Sequence, residues 1–457
     1  MYPAATLDLS ELRGTAPQTD ATPVVPPIVV AWLYGMFLLL PVKIIHLPSN
    51  LELVDIWVAG ALPFFWIAFV LGGRARTTMS YGPPILVILI ATCLSALHAP
   101  SPMRGAIVLV KELYLFVWFV TLTVLLSSLH AKLLRRMMAV WAAVVTLHGL
   151  LILAQFLMPD IWHMTIGLAG QSRSYENFRP SGLFISEKAG DANKAAFFQL
   201  AGFVPLAISS FPRRMTTLMA ALLFLSILAT GSMGTTGALM VGVGISVVTL
   251  LFVDKTLRFF RKYVTFLMIV VSFLAGSLAI ALDQSPRYRD HLTSIVAGRA
   301  EKSSGGRFAL WQRGIDAFHE HDVLLWGVGP ENFREVDSAG NDNQLHNDAL
   351  AFMVERGLLG VLGLFLLAVV AIVRAVQLVG IYSRYPDAGG LAVVVFVAAM
   401  GAILTVSLTH QIFHAREMWI VLAVQEAMVV QARASPDFAP ELRAEVQGAV
   451  TYNRMGR

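Results

Sequence analysis

The sequence predicts an all-α polytopic membrane protein of about twelve transmembrane helices, with a large, partly helical loop between the ninth and the tenth. Two observations predict it. Hydrophobic residues make up 56% of the 457-residue chain and charged residues only 14%, with a mean hydropathy of +0.68, far more apolar than a soluble domain carries. Apolar stretches near the length of roughly 20 residues that a bilayer demands also recur with short breaks, and Lys and Arg gather in alternate breaks.

In chain order the stretches lie near 28–46, 53–71, 84–99, 106–127, 137–158, 194–211, 215–230, 235–253, 263–282, 349–373, 389–409 and 412–431. The basic residues that set topology are Arg74 and Arg76; Lys132, Arg135 and Arg136; Arg213 and Arg214; Lys255, Arg258, Arg261 and Lys262; and Arg374 and Arg384. All fall on one side if both termini are cytoplasmic, which an even number of spans permits. The net charge of +5 is therefore spent on topology, and no basic patch suggests nucleic acid as a partner.

Residues 1–27 read as a disordered, Pro- and Thr-rich cytoplasmic tail without the basic start and apolar core of a cleaved signal. Residues 28–283 hold the first nine spans, with an outer loop near 159–193. The large outer loop covers 284–347, the last three spans 348–431, and a polar cytoplasmic tail 432–457. The single cysteine, Cys93, lies in an apolar run and reads as a buried core thiol.

A loop of about sixty residues is long enough to be functional or a small domain of its own. Within it Phe308, Trp311, Ile315 and Phe318 recur at helical spacing, and Gly327, Gly329 and Pro330 end the pattern. This predicts an amphipathic helix on the outer membrane surface, with Arg307 at its start on the side of Trp311. A surface helix packed on the bundle, with a snorkelling arginine, fits the same pattern.

Ionisable groups inside spans cost about 2.5–3.5 kcal/mol each on insertion scales, so their positions carry information. Lys43 and His46 close the first span and His98 the third; Lys111 and Glu112 lie in the fourth, Glu355 and Arg356 in the tenth, and Arg416 and Glu417 begin the twelfth after His410 and His414. All fall in the outer half of the membrane or at its outer edge. Adjacent charges point to different sides of a helix, so each is expected to pair with a neighbouring helix. The set reads either as structural ion pairs or as a polar cavity open to the outside. A transporter path would instead continue inward, where Gln425 and Glu426 are the comparable residues.

In the first long loop, Arg179-Pro180-Ser181-Gly182 reads as a turn and the Asp191–Asn193 segment as a helix cap. The planar guanidinium of Arg179 suits phosphate oxygens, whether of a substrate or of lipid headgroups. His346 stands where the large loop re-enters the bilayer. Its neutral imidazole can take a proton from a hydroxyl, with the resulting cation stabilised by Glu355 or Glu112, and Asn347 can orient the ring or a sugar hydroxyl. A helix-capping histidine is the structural alternative. No histidine spacing suggests zinc.

The stretch "HNDALAFMVERGLLG" fits the pattern H-[NSQ]-x9-G-x-x-G through His346, Asn347, Gly357 and Gly360, and so resembles bacterial O-antigen ligases and the wider ligase/polymerase superfamily. Arg307, Trp311, Gly327 and Gly329 resemble the family's Arg-x3-Trp segment ending in G-x-G, and "FRPSGLF" followed by Asn193 resembles its R-x-x-G-x-F segment. Ser232-Met233 departs from the Ser-Arg that many members carry.

The resemblance implies a periplasm-facing, metal-independent glycosyltransferase of the bacterial inner membrane, without cofactors, whose donor is a glycan on undecaprenyl pyrophosphate. It implies that Arg179 and Arg307 bind the pyrophosphate and that His346 deprotonates the acceptor. Lys111, Glu112, Trp311, Asn347, Glu355, Arg356 and Arg416 are the expected substrate-binding residues beside them. The acceptor expected of a ligase is a lipid A–core sugar, with membrane lipids as surroundings. A polymerase extending a second lipid-linked repeat is the alternative within the superfamily, and a transporter of lipid-linked glycans the one outside it.

Overall fold

The computed structural model describes residues 25–43, 52–71, 80–158, 160–161, 164, 179–184, 191–253, 308–319, 324–333, 345–382 and 390–434. The helices are α1 (Pro27–Leu39), α2 (Leu53–Leu71), α3 (Gly82–His98), α4 (Pro102–Ser128), α5 (Ala131–Leu157), α6 (Ala192–Ala201), α7 (Phe203–Ile208), α8 (Arg213–Ala229), α9 (Met233–Val253), α10 (308–319), α11 (Asp348–Tyr382), α12 (Gly390–Val406) and α13 (Arg416–Ala434). Each predicted span overlaps one of these helices, or for the sixth a pair of them, except that near 263–282, which lies outside the described residues together with most of both tails. Among the described residues four helices, α2, α4, α5 and α11, are long and apolar enough to cross a membrane, and shorter apolar helices stand beside them.

Local sequence explains where several begin. Prolines occupy the first turn of α1, α3 and α4, where the missing N–H has no helical acceptor in any case. Asp191 caps α6 by accepting the Lys194 N–H at 3.1 Å. The sixth predicted span is two helices, α6 and α7, that meet at Gly202. A Cβ at Gly202 would press on Val145 of α5, so glycine allows close approach there.

The principal pairings are α9 with α12, α3 with α11 and α4 with α13. Trp118, Trp141, Trp419, Phe37 and Phe413 fill the centre. Leu86, Ile90, Val110, Leu362 and Phe365 remain exposed on the flanks, as lipid-facing surfaces require.

Three expectations are corrected. Cys93 is exposed on the flank of α3, because the helix turns its neighbours Thr92 and Ser95 inward. Arg374 is no loop residue: α11 continues past it to Tyr382, and Arg374 is buried with its guanidinium 2.7 Å from Glu426. Finally, α10 buries Leu310, Gly314, Ala317 and Phe318 and leaves Phe308 66% exposed, so its packed face is rotated from the one the aromatic spacing predicted. That face covers the start of α11, where Leu345, Ala351 and Val354 complete a small apolar cluster with Val328 and Phe333.

Candidate functional site

The site is built around a break in α11. Gly357 has φ 66° and ψ −165° within the helix. Segment 324–329 lies across the break: the Leu358 N–H donates to the Leu324 carbonyl at 2.9 Å, the Val328 N–H to Val354 at 2.9 Å and the Gly329 N–H to Glu355 at 3.0 Å. The kink thus frees backbone groups that the crossing strap satisfies. A Cβ at Gly357 would strike the backbone of Leu325, and one at Gly327 the backbone of Glu355 and Arg356. Gly360 leaves room for the Arg356 side chain. The glycines of the sequence pattern therefore serve a close crossing of two backbone segments.

The N-terminal end of α11 carries His346. Asn347 accepts the Leu350 N–H at 3.0 Å and caps the helix. His346, half-buried, has φ 51°; among the described residues only it and Glu331 are non-glycines with positive φ. Such a conformation costs about 1–3 kcal/mol and persists only where neighbours enforce it. The neighbours are identifiable. Trp311 of α10 donates its indole N–H to the Leu345 carbonyl at 2.9 Å. Asp348, buried, accepts the N–H groups of Ile412 (3.0 Å) and Phe413 (3.3 Å), and its own N–H donates to the Ser407 carbonyl at 2.8 Å. The histidine is fixed between α10 on one side and the 407–413 turn on the other.

That turn delivers His414 to a buried charge network. Glu112 of α4 is fully buried and accepts from Arg356 of α11 at 2.6 Å and from Thr92 of α3 at 2.7 Å, with His414 Nε2 at 3.4 Å. Arg356 also donates to Thr92 (3.0 Å) and Glu355 (3.3 Å) and lies 4.3 Å from the centre of the Phe352 ring. The carboxylate and guanidinium are desolvated together, so removing one alone leaves an uncompensated charge, a loss of about 3–5 kcal/mol. Lys111, next to Glu112, turns outward and meets Glu331 of the strap at 3.4 Å.

A second network begins two residues beyond His414. Arg416 forks onto Asp55 of α2 and reaches Glu52 at 3.1 Å; Lys43, just past α1, pairs with Glu417 at 3.0 Å and Glu52 at 3.2 Å. Tyr114 donates to Asp55 at 3.2 Å.

Arg179 belongs to a third, adjoining region. Its guanidinium donates to Asn193 Oδ1 at 2.9 Å and to the Thr230 carbonyl at 3.3 Å. The turn that carries it is pinned to α5: Gln155 accepts the Ser181 and Gly182 N–H groups at 3.1 and 2.9 Å, and His148 Nε2 accepts that of Leu183 at 3.0 Å. Lys43 lies 4.2 Å from the centre of the Phe184 ring, which joins this turn to the second network.

The structure thus brings Lys111, Glu112, Glu355, Arg356 and Arg416 to one end of the bundle with Trp311, His346 and Asn347. Arg179 sits on the same rim, and Arg307 lies outside the described residues. Asn347 and Trp311, expected at substrate, make the structural contacts just given. Sequence reasoning did not single out Thr92, Asp55, Asp348, Glu331, His148 or Gln155. Their only signal was polarity within apolar runs or loops, without the partner that gives it meaning.

At the opposite end a separate buried group joins Arg374 to Glu426 and Ser80, and Tyr81 to Gln425 at 2.5 Å. Gln425 also donates to the Ala371 carbonyl at 3.0 Å. These contacts tie α3, α11 and α13 together.

Fold and rim together define a polytopic helical membrane protein with ionisable side chains and a strained histidine gathered at one end. Residues 218–365 match the family model described as O-Antigen ligase, a stretch that contains α10, the strap, His346 and the kink. The similarity is to the O-antigen ligase family and covers residues 218–365 alone. No curated protein matches the chain.

Proposed function

We propose that the protein is a ligase that transfers an undecaprenyl-pyrophosphate-linked polysaccharide to a sugar hydroxyl of lipid A–core, at the periplasmic face of the bacterial inner membrane, with both termini cytoplasmic. The observation that carries this reading is His346. It is held in a costly left-handed conformation by Trp311 and Asp348, beside a buried charge network and inside the matched stretch. Strain maintained by several independent contacts is what a site needing one side-chain direction requires.

In this reading His346 accepts the proton of the acceptor hydroxyl as that oxygen attacks the anomeric carbon, and undecaprenyl pyrophosphate leaves with the bonding electrons. Arg179 and Arg307 stabilise the charge on the departing pyrophosphate. Glu112, Glu355, Arg356, Lys111 and Arg416 set the electrostatics of the rim, and Asn347 and Trp311 place the histidine. Pyrophosphate is a good leaving group, so the reaction calls for neither nucleotide nor metal.

The test is transfer by purified protein in lipid, with labelled undecaprenyl-pyrophosphate glycan as donor and lipid A–core as acceptor, read on a gel. Label on the core supports the ligase. A ladder that grows without core would make the protein a polymerase, which shares donor and leaving group, and no transfer of either kind would move the reading to a transporter.

A further inference from the structure

Glu331 occupies the third position of a tight turn, Gly329-Pro330-Glu331-Asn332, closed by the Asn332 N–H donating to the Gly329 carbonyl at 3.0 Å. Proline at the second position and positive φ at the third are the marks of a type II turn, whose third position favours glycine or asparagine. Glu331 nevertheless stands there with φ 54°. The turn itself is secured without its side chain: Asn332, fully buried, accepts the Ser101 N–H at 2.9 Å and donates to the carbonyls of Pro330 (2.9 Å) and Ser101 (3.3 Å).

The Glu331 carboxylate contributes little to folding. It is 52% exposed, and its partner Lys111 is 32% exposed at 3.4 Å, an arrangement in which solvent screens most of the attraction. A strained backbone is thus retained for a side chain that faces outward. The turn that carries Glu331 is joined to the Glu355 backbone through the Gly329 N–H at 3.0 Å; the Glu355 side chain is 13% exposed and pairs with Arg356 at 3.3 Å, which leads to fully buried Glu112. Lys111 and Glu331 are the solvent-facing edge of the buried network.

An exposed ammonium and carboxylate held side by side offer donors and acceptors to adjacent hydroxyls of a sugar, each stronger than a neutral hydrogen bond. We infer that Glu331 and Lys111 form a glycan-binding subsite at the edge of the site, with Glu331 as a specificity-determining contact to sugar hydroxyls. The inference rests on the proposed transfer of a glycan, and the same chemistry can serve either the donor polysaccharide or the acceptor core.

The decisive variant is Glu331→Gly, because glycine relieves the turn and removes the carboxylate at once. In lipid nanodiscs the variant is expected to keep a thermal midpoint at or above wild type. Its kcat/KM for transfer is expected to fall roughly tenfold to a hundredfold, mostly through KM, and Lys111→Met should show a smaller fall in the same parameter. Unchanged kinetics in Glu331→Gly, or a lowered midpoint that accounts for the loss, would overturn the inference. A second readout does not depend on transfer: binding of two lipid-free probes, core oligosaccharide and O-polysaccharide, to wild type and Glu331→Gly. Weaker binding of one probe by the variant supports the subsite and identifies its source, and equal binding of both overturns it. Failure of wild type to transfer, with probe binding still lost in the variant, would sink the ligase reading and leave the subsite standing.

Discussion

Trp311 donates to the carbonyl of Leu345, the peptide immediately before His346, across 34 residues of chain. An indole on α10 thereby sets the backbone from which the histidine projects. Trp311→Phe keeps the ring and removes the donor. It is expected to lower stability by about 1 kcal/mol while reducing transfer at least tenfold. Thermal unfolding and the gel assay on one preparation check this; a rate that falls no further than stability predicts would reduce Trp311 to packing.

His346→Gly should separate strain from chemistry. Glycine adopts φ 51° freely, so the variant is expected to be as stable as wild type or slightly more so. Transfer should fall by about two to four orders of magnitude, the usual contribution of a positioned base. Wild-type rates in this variant, or in His346→Ala, would remove the general-base role.

Glu112 and Arg356 provide a coupling test. Glu112→Leu or Arg356→Met alone is expected to cost about 3–5 kcal/mol and to lower yield from the membrane, and the double variant should recover most of that loss. A double variant that folds but does not transfer would assign the pair to function as well as to architecture.

Arg179→Lys keeps a charge but not a fork, so both its bond to Asn193 and its fit to pyrophosphate should suffer. Transfer is expected to drop more than tenfold, and Arg307→Lys should behave alike. EDTA should leave the wild-type rate unchanged, and loss restored by a divalent ion would contradict a metal-free reaction.

Gly357→Ala is the sharpest structural prediction. Its Cβ has no space beside the Leu325 backbone and its φ is 66°, so a loss of more than about 1 kcal/mol is expected. A thermal midpoint equal to wild type would mean that the crossing can loosen without consequence.

Much of this arrangement was legible in the chain itself. Helices such as α2 and α9 follow from apolar runs whose length the bilayer fixes, and the histidine motif marked the start of α11. What could not be read was partnership. Glu112 meets Arg356 from 244 positions away and Lys43 meets Glu417 from 374, distances over which local periodicity carries no information. The same limit explains Arg374: a cation near a span's end looks like a loop residue until Glu426 appears opposite it. It explains α10 as well, since aromatic spacing defines a face, but the start of α11 decides which face is covered.

The contacts of Arg416 and Glu417 have a consequence for biogenesis. Both come from the last described helix, yet their partners stand near the first two: Lys43 just past α1, Glu52 just before α2 and Asp55 in the first turn of α2. During synthesis those early charges emerge long before Arg416 and Glu417, with only each other, as in the Lys43–Glu52 pair, and the hydration of the water boundary to stabilise them. Arrival of α13 then closes the rim in one late step, so quality control that monitors exposed charge in the membrane would read the docking of α13 as the signal that the bundle is closed.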